Sequence, residues 1–110
     1  MPHITRISLV VCLLLPVSSV AATAAGDAKT GQQKSAVCTA CHGTDGNSPV
    51  PTMYPTLAGQ SAEAIIEALI GYRQGTRQGA MANLMMPMAQ NLSDEDIADL
   101  AAFFSQQLRK

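Results

Sequence analysis

The 110-residue chain contains no tryptophan, and its aromatic side chains are two tyrosines and two phenylalanines. Beyond residue 24 it has six lysines and arginines against eight carboxylates, a net charge of −2. With so few basic residues the chain has no positive stripe, which excludes nucleic-acid binding. No segment after residue 24 shows the β-branched alternation of a strand, so an all-α fold is expected.

The first 24 residues have the three parts of a secretory signal. Arg6 precedes an apolar run at residues 7–17, and Ala22 and Ala24 form an A-x-A cleavage pattern. We therefore expect cleavage after Ala24, a location in the periplasm and a mature domain of residues 25–110. The alternative is an uncleaved membrane anchor, but Pro16 interrupts the run, which is shorter than the roughly 20 residues of a spanning helix.

The mature domain is small, and side-chain burial alone barely offsets the conformational entropy that such a domain loses on folding. Its sequence predicts three or more helices joined by long loops. Good helix formers occupy most of residues 27–36, Ser61 begins a second helix that runs to about Tyr72, and Ser93 caps a third. We expect Arg109 and Lys110 to lie at the negative end of that third helix.

Apolar residues of the third helix recur at helical spacing and predict one buried stripe. The stripe consists of Ile97, Leu100, Ala101, Phe104 and Leu108. Residues 43–60 are rich in Gly, Pro, Asn and Ser and are expected to form a loop. Residues 76–91 are expected to form a second loop, in which methionines are concentrated. Loops this long in so small a domain are expected to wrap around a bound group.

Cys38, Cys41 and His42 form the C-x-x-C-H signal for covalent attachment of haem c. The two thiols add to the haem vinyl groups as thioethers, and the histidine provides one axial ligand to the iron. A structural zinc site needs four ligands, and the mature chain offers only these three Cys and His residues. A thioredoxin-like pair needs a βαβ setting, which is absent, and a plain disulfide would leave His42 unexplained.

The second axial ligand is expected to be a methionine, because the mature chain has no other histidine. Methionine clusters more often fill cores than bind metals. Here four of them, Met81, Met85, Met86 and Met88, fall in a segment without helical periodicity. Such a segment could present a thioether to the far face of a haem.

With these motifs the chain resembles class I c-type cytochromes, most closely one half of the di-haem proteins of the c-four kind and their single-haem relatives. The resemblance covers nearly the whole mature chain, and its motifs follow one another in order. They are Ala25-Gly26-Asp27-Ala28, Val37-Cys38-Thr39-Ala40-Cys41-His42-Gly43, Asp45-Gly46-Asn47-Ser48-Pro49, Leu57-Ala58-Gly59-Gln60 and the segment at residues 92–104.

The resemblance implies the class I cytochrome c fold around one covalently attached haem. It also implies that the axial methionine lies seven residues before Leu92, which selects Met85, with Met88, Met86 and Met81 as alternatives in that order.

The family further crosses its first and last helices at a glycine against an aromatic residue. This implies that Gly31 contacts Phe103 or Phe104. A proline carbonyl, expected from Pro49 or Pro51, accepts a hydrogen bond from the axial histidine in the family.

The predicted function is outer-sphere electron transfer between redox proteins, without enzyme activity and without a small-molecule substrate. Donors and acceptors such as a membrane-bound oxidase or a periplasmic dehydrogenase are expected as partners. Two alternatives are a haem-bearing subunit of a larger periplasmic oxidoreductase and a ligand-binding haem sensor or enzyme. Tyr72, Arg73 and Arg77 are candidates to approach the haem propionates, unless they form only a solvated helix end.

Overall fold

The structure is a computed structural model, which describes Pro2 and residues 26–110. The predicted signal segment therefore lies, apart from Pro2, outside the described residues. Five helices and no strand occur in the described part of the chain, as expected for an all-α domain. They are α1 (Ala28–Lys34), α2 (Ala36–His42), α3 (Ala62–Gln74), α4 (Ala82–Ala89) and α5 (Asp94–Ser105). None of the helices within residues 26–110 is long and apolar enough to cross a membrane.

Short polar side chains begin three of the helices, because each satisfies a backbone N–H that the first turn leaves unpaired. Asp27 accepts from the Thr30 N–H at the start of α1, and Ser61 accepts from the Ala64 N–H at the start of α3. Ser93 and Asp96 form a reciprocal capping box at the start of α5. The predicted starts of the second and third helices are thus confirmed.

The first and last helices cross at Gly31, where the backbones approach closely. A Cβ placed on Gly31 would lie 1.9 Å from the Asp99 carbonyl oxygen and 2.9 Å from the Phe103 Cβ. Only hydrogen fits in this space, which explains a glycine within a helix despite its cost of about 1 kcal/mol relative to alanine. Of the two aromatic residues expected at the crossing, Phe103 makes the contact.

An ionic cluster beside the crossing joins the same two helices. The Lys34 ammonium lies 2.7 Å from an Asp99 carboxylate oxygen and 2.8 Å from one of Asp96. The other Asp99 oxygen accepts from the Asp27 N–H at 2.8 Å, so this 4% exposed carboxylate is fully paired. The hydrogen bond from Lys34 lowers the pKa of Asp99, and it lowers that of Asp96 to about 2, whereas the pKa of Lys34 is raised.

Two sequence expectations about helices are wrong. Residues 76–91 do not form one loop, because α4 occupies the middle of that segment. Alanine, leucine and methionine favour helix, Ala82 and Ala89 are buried two turns apart, and Pro87 removes only one internal N–H. The buried stripe of α5 is confirmed as far as Phe104, but the helix ends at Ser105 and Leu108 is 85% exposed.

The chain beyond α5 is held by the loop after α2 rather than continuing the helix. The Asn47 side chain donates to the Leu108 carbonyl and accepts from the Lys110 N–H, both at 2.9 Å. The Lys110 ammonium lies 2.9 Å from Asp45, and this hydrogen bond lowers the pKa of Asp45 to about 2. Arg109 and Lys110 therefore lie beyond the C-terminal end of α5, outside the helix itself.

Candidate cofactor-binding site

A cavity of about 480 Å³ opens between α2, α3, α4, α5 and the loop that follows α2. Its volume lies within the range of small-molecule and cofactor sites. Its wall is largely apolar, with Leu57, Ile65, Leu69, Leu100 and Phe104 at its base. Leu100 and Phe104 belong to the buried face of α5, so the domain core and the cavity share one wall.

Cys38, Cys41 and His42 line this cavity together. They are three and four residues apart on α2, a spacing that places side chains on one face of a helix. The two cysteines are not joined to each other by a disulfide. Burial is the main reason that the pKa of the Cys38 thiol is raised, and the nearby Cys41 thiol raises it further. The structure thus brings together the three residues of the C-x-x-C-H motif on one face.

His42 is buried, with 6% of the residue exposed, and its ring is oriented by the loop after α2. Its Nδ1 atom lies 2.7 Å from the Pro55 carbonyl oxygen. A carbonyl only accepts, so Nδ1 carries the proton and donates it, which leaves Nε2 with a free lone pair for a metal.

The expectation that Pro49 or Pro51 supplies this carbonyl is wrong. The Val50 carbonyl accepts from the N–H groups of Met53 and Tyr54, so the chain turns over residues 50–54, with Pro49 before the turn and Pro51 inside it. Pro55 is the first proline on the returning segment.

Three of the four clustered methionines line the cavity. Met85 and Met88 do so from α4, and Met81 from the residue that precedes it. Met86 is not in the cavity wall. Its terminal methyl instead lies next to Gly75, 3.8 Å from where a Cβ on that glycine would be. The methionines are thus presented by a helix and its N-terminal residue, not by the loop expected from the sequence.

The side chains that line the cavity match the donor set that binds haem c. Two thiols at C-x-x-C spacing, one imidazole with a free nitrogen and several thioethers open onto one apolar cavity. A model of the cytochrome c family matches residues 28–107.

The chain belongs to the cytochrome c family. This cytochrome is 55% identical over 83 residues to cytochrome c-554(548) of Halomonas halodenitrificans, a match covering 76% of this chain and 99% of that protein. It is 46% identical over 100 residues to cytochrome c4 of Pseudomonas aeruginosa, covering 90% of this chain and 48% of the relative.

A solved structure, that of reduced recombinant cytochrome c4 from Pseudomonas stutzeri, superimposes with a TM-score of 0.68 at 44% identity. The match covers 78% of this chain and 48% of that chain. This cytochrome therefore spans nearly all of the c-554(548) protein and about half the length of the c4 proteins it matches.

Family membership confirms the class I cytochrome c fold, and it confirms covalently bound haem c with iron as the cofactor. Cytochromes of this family carry electrons and are not enzymes, and this cytochrome is an electron-transfer protein. The corresponding sequence predictions are correct.

The three polar candidates at the end of α3 have different surroundings in this cytochrome. Arg73 donates to the Leu92 carbonyl at 3.0 Å and to Asp94 at 2.7 Å, and so joins α3 to the start of α5. Tyr72 and Arg77 line the cavity. The sequence alone did not separate the two arginines, because both lie close to the predicted end of the same helix; Arg73 is in the last turn of α3 and Arg77 lies beyond its C-cap.

Tyr54 was not identified from the sequence as a site residue. It lines the cavity, and its ring lies edge-on to His42 with 6.5 Å between ring centroids. No local sequence pattern points to it, because Tyr54 reaches His42 through the chain reversal at Val50.

Proposed function

We propose that this cytochrome is a periplasmic carrier that shuttles single electrons between redox proteins through one haem c attached by Cys38 and Cys41. The observation that carries the proposal is that both thiols, the oriented histidine and the methionine thioethers open onto one apolar cavity. The haem supplies the one-electron chemistry, with the iron alternating between its ferric and ferrous forms.

His42 and Met85 are proposed as the axial ligands. The Pro55 carbonyl fixes the ring orientation and the tautomer of His42, and such a bond adjusts the basicity of a ligand. Histidine and methionine together raise the reduction potential of a haem. The leucine, isoleucine and phenylalanine side chains of the cavity wall exclude water, and this burial also raises the reduction potential.

Spacing and burial favour Met85 over the other methionines of the cavity wall. It lies seven residues before Leu92, as the axial methionine does in the family, and it is half-buried in the cavity wall. Met88 also lines the cavity but is 53% exposed. Met81 lines it from outside α4, as the N-cap residue.

The first experiment is haem staining of the exported protein after denaturing electrophoresis, followed by a redox titration. A stained band at the mass of residues 25–110 is expected, with a reversible one-electron transition. A mature protein that folds without covalently bound pigment would contradict the proposal. A stained band that keeps residues 1–24 would show that these residues act as an anchor rather than a cleaved signal.

Substitution of the methionines one at a time tests the axial assignment. Met85→Ala should abolish the methionine-to-iron charge-transfer band and lower the potential by on the order of 0.1 V, within the roughly 0.8 V that axial ligands span. Met88→Ala and Met81→Ala are matched controls from the same cavity wall and should keep the band. If the band survives Met85→Ala and is lost in a control, the ligand is the control's methionine.

A second candidate function is that of a haem-bearing subunit of a larger oxidoreductase. It is supported by a relative of lower similarity, a cytochrome subunit of sulfide dehydrogenase from Chlorobaculum tepidum that is 35% identical over 80 residues. Another relative, a thiosulfate dehydrogenase electron acceptor from Stutzerimonas stutzeri that is 40% identical over 68 residues, fits the carrier instead. Purification of the native protein in a stable complex would favour this function, and recovery as a free protein would favour the diffusing carrier.

A further inference from the structure

The Pro55 carbonyl that orients His42 lies in a segment without regular secondary structure. Residues 55–57 belong to no helix, and Pro55 itself is exposed. No helical hydrogen-bond pattern therefore holds the peptide unit between Pro55 and Thr56. A 2.7 Å hydrogen bond to the His42 ring nevertheless needs this carbonyl to point in one direction.

Two dihedral angles set the direction of this carbonyl. The peptide unit between Pro55 and Thr56 is planar and turns as one body. The pyrrolidine ring fixes φ of Pro55, which leaves ψ of Pro55 and φ of Thr56 to turn the carbonyl. Contacts that anchor Thr56 therefore also aim the Pro55 carbonyl at His42.

Thr56 is anchored through both its side chain and its main chain. Its hydroxyl oxygen accepts from the Ser48 N–H at 3.2 Å, and its carbonyl accepts from the Gln60 side-chain amide at 2.7 Å. A threonine side chain is stiff at χ1 because it is β-branched, so a contact at the hydroxyl also restrains the backbone. Ser48 precedes the turn at residues 50–54 and Gln60 follows it, so Thr56 is held from both ends of the loop.

The residues on either side of Gln60 are fixed to two helices. The N–H of Gly59 donates to the Phe104 carbonyl of α5 at 3.3 Å, and Ser61 caps the start of α3. Gln60 therefore reaches Thr56 from a rigid base. Both helices also contribute side chains to the cavity wall, so the direction of the carbonyl is tied to the cavity itself.

We propose that Thr56 and Gln60 are positioning residues for the axial histidine and lower the reduction potential of this cytochrome by aiming the Pro55 carbonyl. The inference rests on the proposed ligation of the haem iron by His42. A well-aimed carbonyl makes the imidazole a stronger donor to the metal. A stronger donor stabilises the ferric form, because that form carries one more positive charge. Loss of either anchor should weaken the hydrogen bond to His42 and raise the potential.

The first test compares the holoproteins of Thr56→Val and Thr52→Val by spectroelectrochemical titration. Thr56→Val keeps the shape of the side chain but loses the hydroxyl, whereas Thr52→Val makes the same change at an exposed position of the same loop, outside the cavity wall. Thr56→Val should raise the equilibrium constant of reduction about two- to fivefold, where tenfold corresponds to 59 mV for one electron. Thr56→Ser, which restores the hydroxyl, should return the constant to the wild-type value. Equal constants in Thr56→Val and Thr52→Val would overturn the proposal.

Proton exchange at His42 separates the aiming of the carbonyl from a general loss of stability. In the reduced holoprotein, NMR follows the exchange of the His42 Nδ1 proton with deuterium from the solvent. In Thr56→Val this exchange should accelerate at least about fivefold relative to that of the Leu100 N–H in the buried core. Equal acceleration of both protons would mean that Thr56 has only a structural role, and it would overturn the proposal.

Gln60→Leu tests the second anchor, and it decides alone if Thr56→Val yields no holoprotein. It removes the amide donor but keeps Thr56. Because leucine also makes the cavity wall more apolar, the exchange of the His42 Nδ1 proton is the deciding measurement in this variant. Faster exchange is expected, and exchange at the wild-type rate would overturn the proposed chain of contacts. Absence of covalent haem from the wild-type protein would instead refute the proposed function.

Discussion

Replacement of Gly31 by alanine tests the crossing of α1 and α5, because helix propensity and packing predict opposite signs. Propensity alone would stabilise α1 by about 1 kcal/mol. The added Cβ, however, would lie 1.9 Å from the Asp99 carbonyl oxygen and 2.5 Å from its carbonyl carbon. Both atoms belong to the backbone of α5, so no side-chain rotation relieves the clash and the helices must move apart.

Overpacking of this kind costs about 1–3 kcal/mol, and a clash with backbone belongs at the upper end of that range. Subtracting the gain in propensity leaves a net loss of about 2 kcal/mol in the free energy of unfolding. For a domain of this size, each kcal/mol corresponds to about 4–8 °C in Tm, so a fall of roughly 8–16 °C is expected.

Thermal unfolding of the oxidised holoprotein, followed by far-ultraviolet circular dichroism, measures this change. Gln33→Ala is the matched control, since it places an alanine on the exposed side of the same helix. That variant should stay within about 0.5 kcal/mol of wild type. A Tm of Gly31→Ala equal to or above that of wild type would refute the close crossing.

Two further changes test contacts that the sequence did not reveal. The free energy of unfolding should be constant from pH 7 to about 5 and fall between pH 5 and 2, because Lys34 lowers the folded-state pKa of Asp96 to about 2, below its unfolded value of 3.8. In urea titrations repeated across pH, Lys34→Met should remove the part of that fall that Asp96 and Asp99 contribute and keep the part from Asp45, which Lys110 pairs. An unchanged pH profile would contradict the pairing with Lys34. Asn47→Ala should lower the free energy of unfolding by about 1 kcal/mol, seen as a lower urea midpoint at constant slope, since it removes the bonds to Leu108 and Lys110. Stability equal to wild type would show that the tail is not held there.

The parts of the fold that were predictable are those that local chemistry determines. Ser61 and Ser93 start helices because a serine oxygen binds the N–H groups of the first turn. Gly31 marked the crossing because a costly glycine in a helix needs a packing reason. Cys38, Cys41 and His42 lie on one cavity wall because three- and four-residue spacings share one helical face.

The parts that were missed depend on tertiary contacts. Ala82 and Ala89 are too small to mark an apolar face in the sequence, so the sequence predicts a loop where the structure has α4. Pro55 accepts from His42 only because the turn at Val50 reverses the chain, and no local pattern fixes that reversal. The position of Leu108 matches the helical spacing of the apolar stripe, but α5 ends at Ser105, and the Leu108 carbonyl instead accepts a hydrogen bond from Asn47.

The anchoring of the start of α1 determines where any preceding segment leaves the domain. Gly26 packs on the backbone of Ala98, and the Asp27 N–H is bound by Asp99. Neither of these α5 residues lines the cofactor cavity. A linker, affinity tag or electrode tether attached before residue 26 would therefore emerge beside the α1/α5 crossing and leave the cavity mouth open for exchange of electrons.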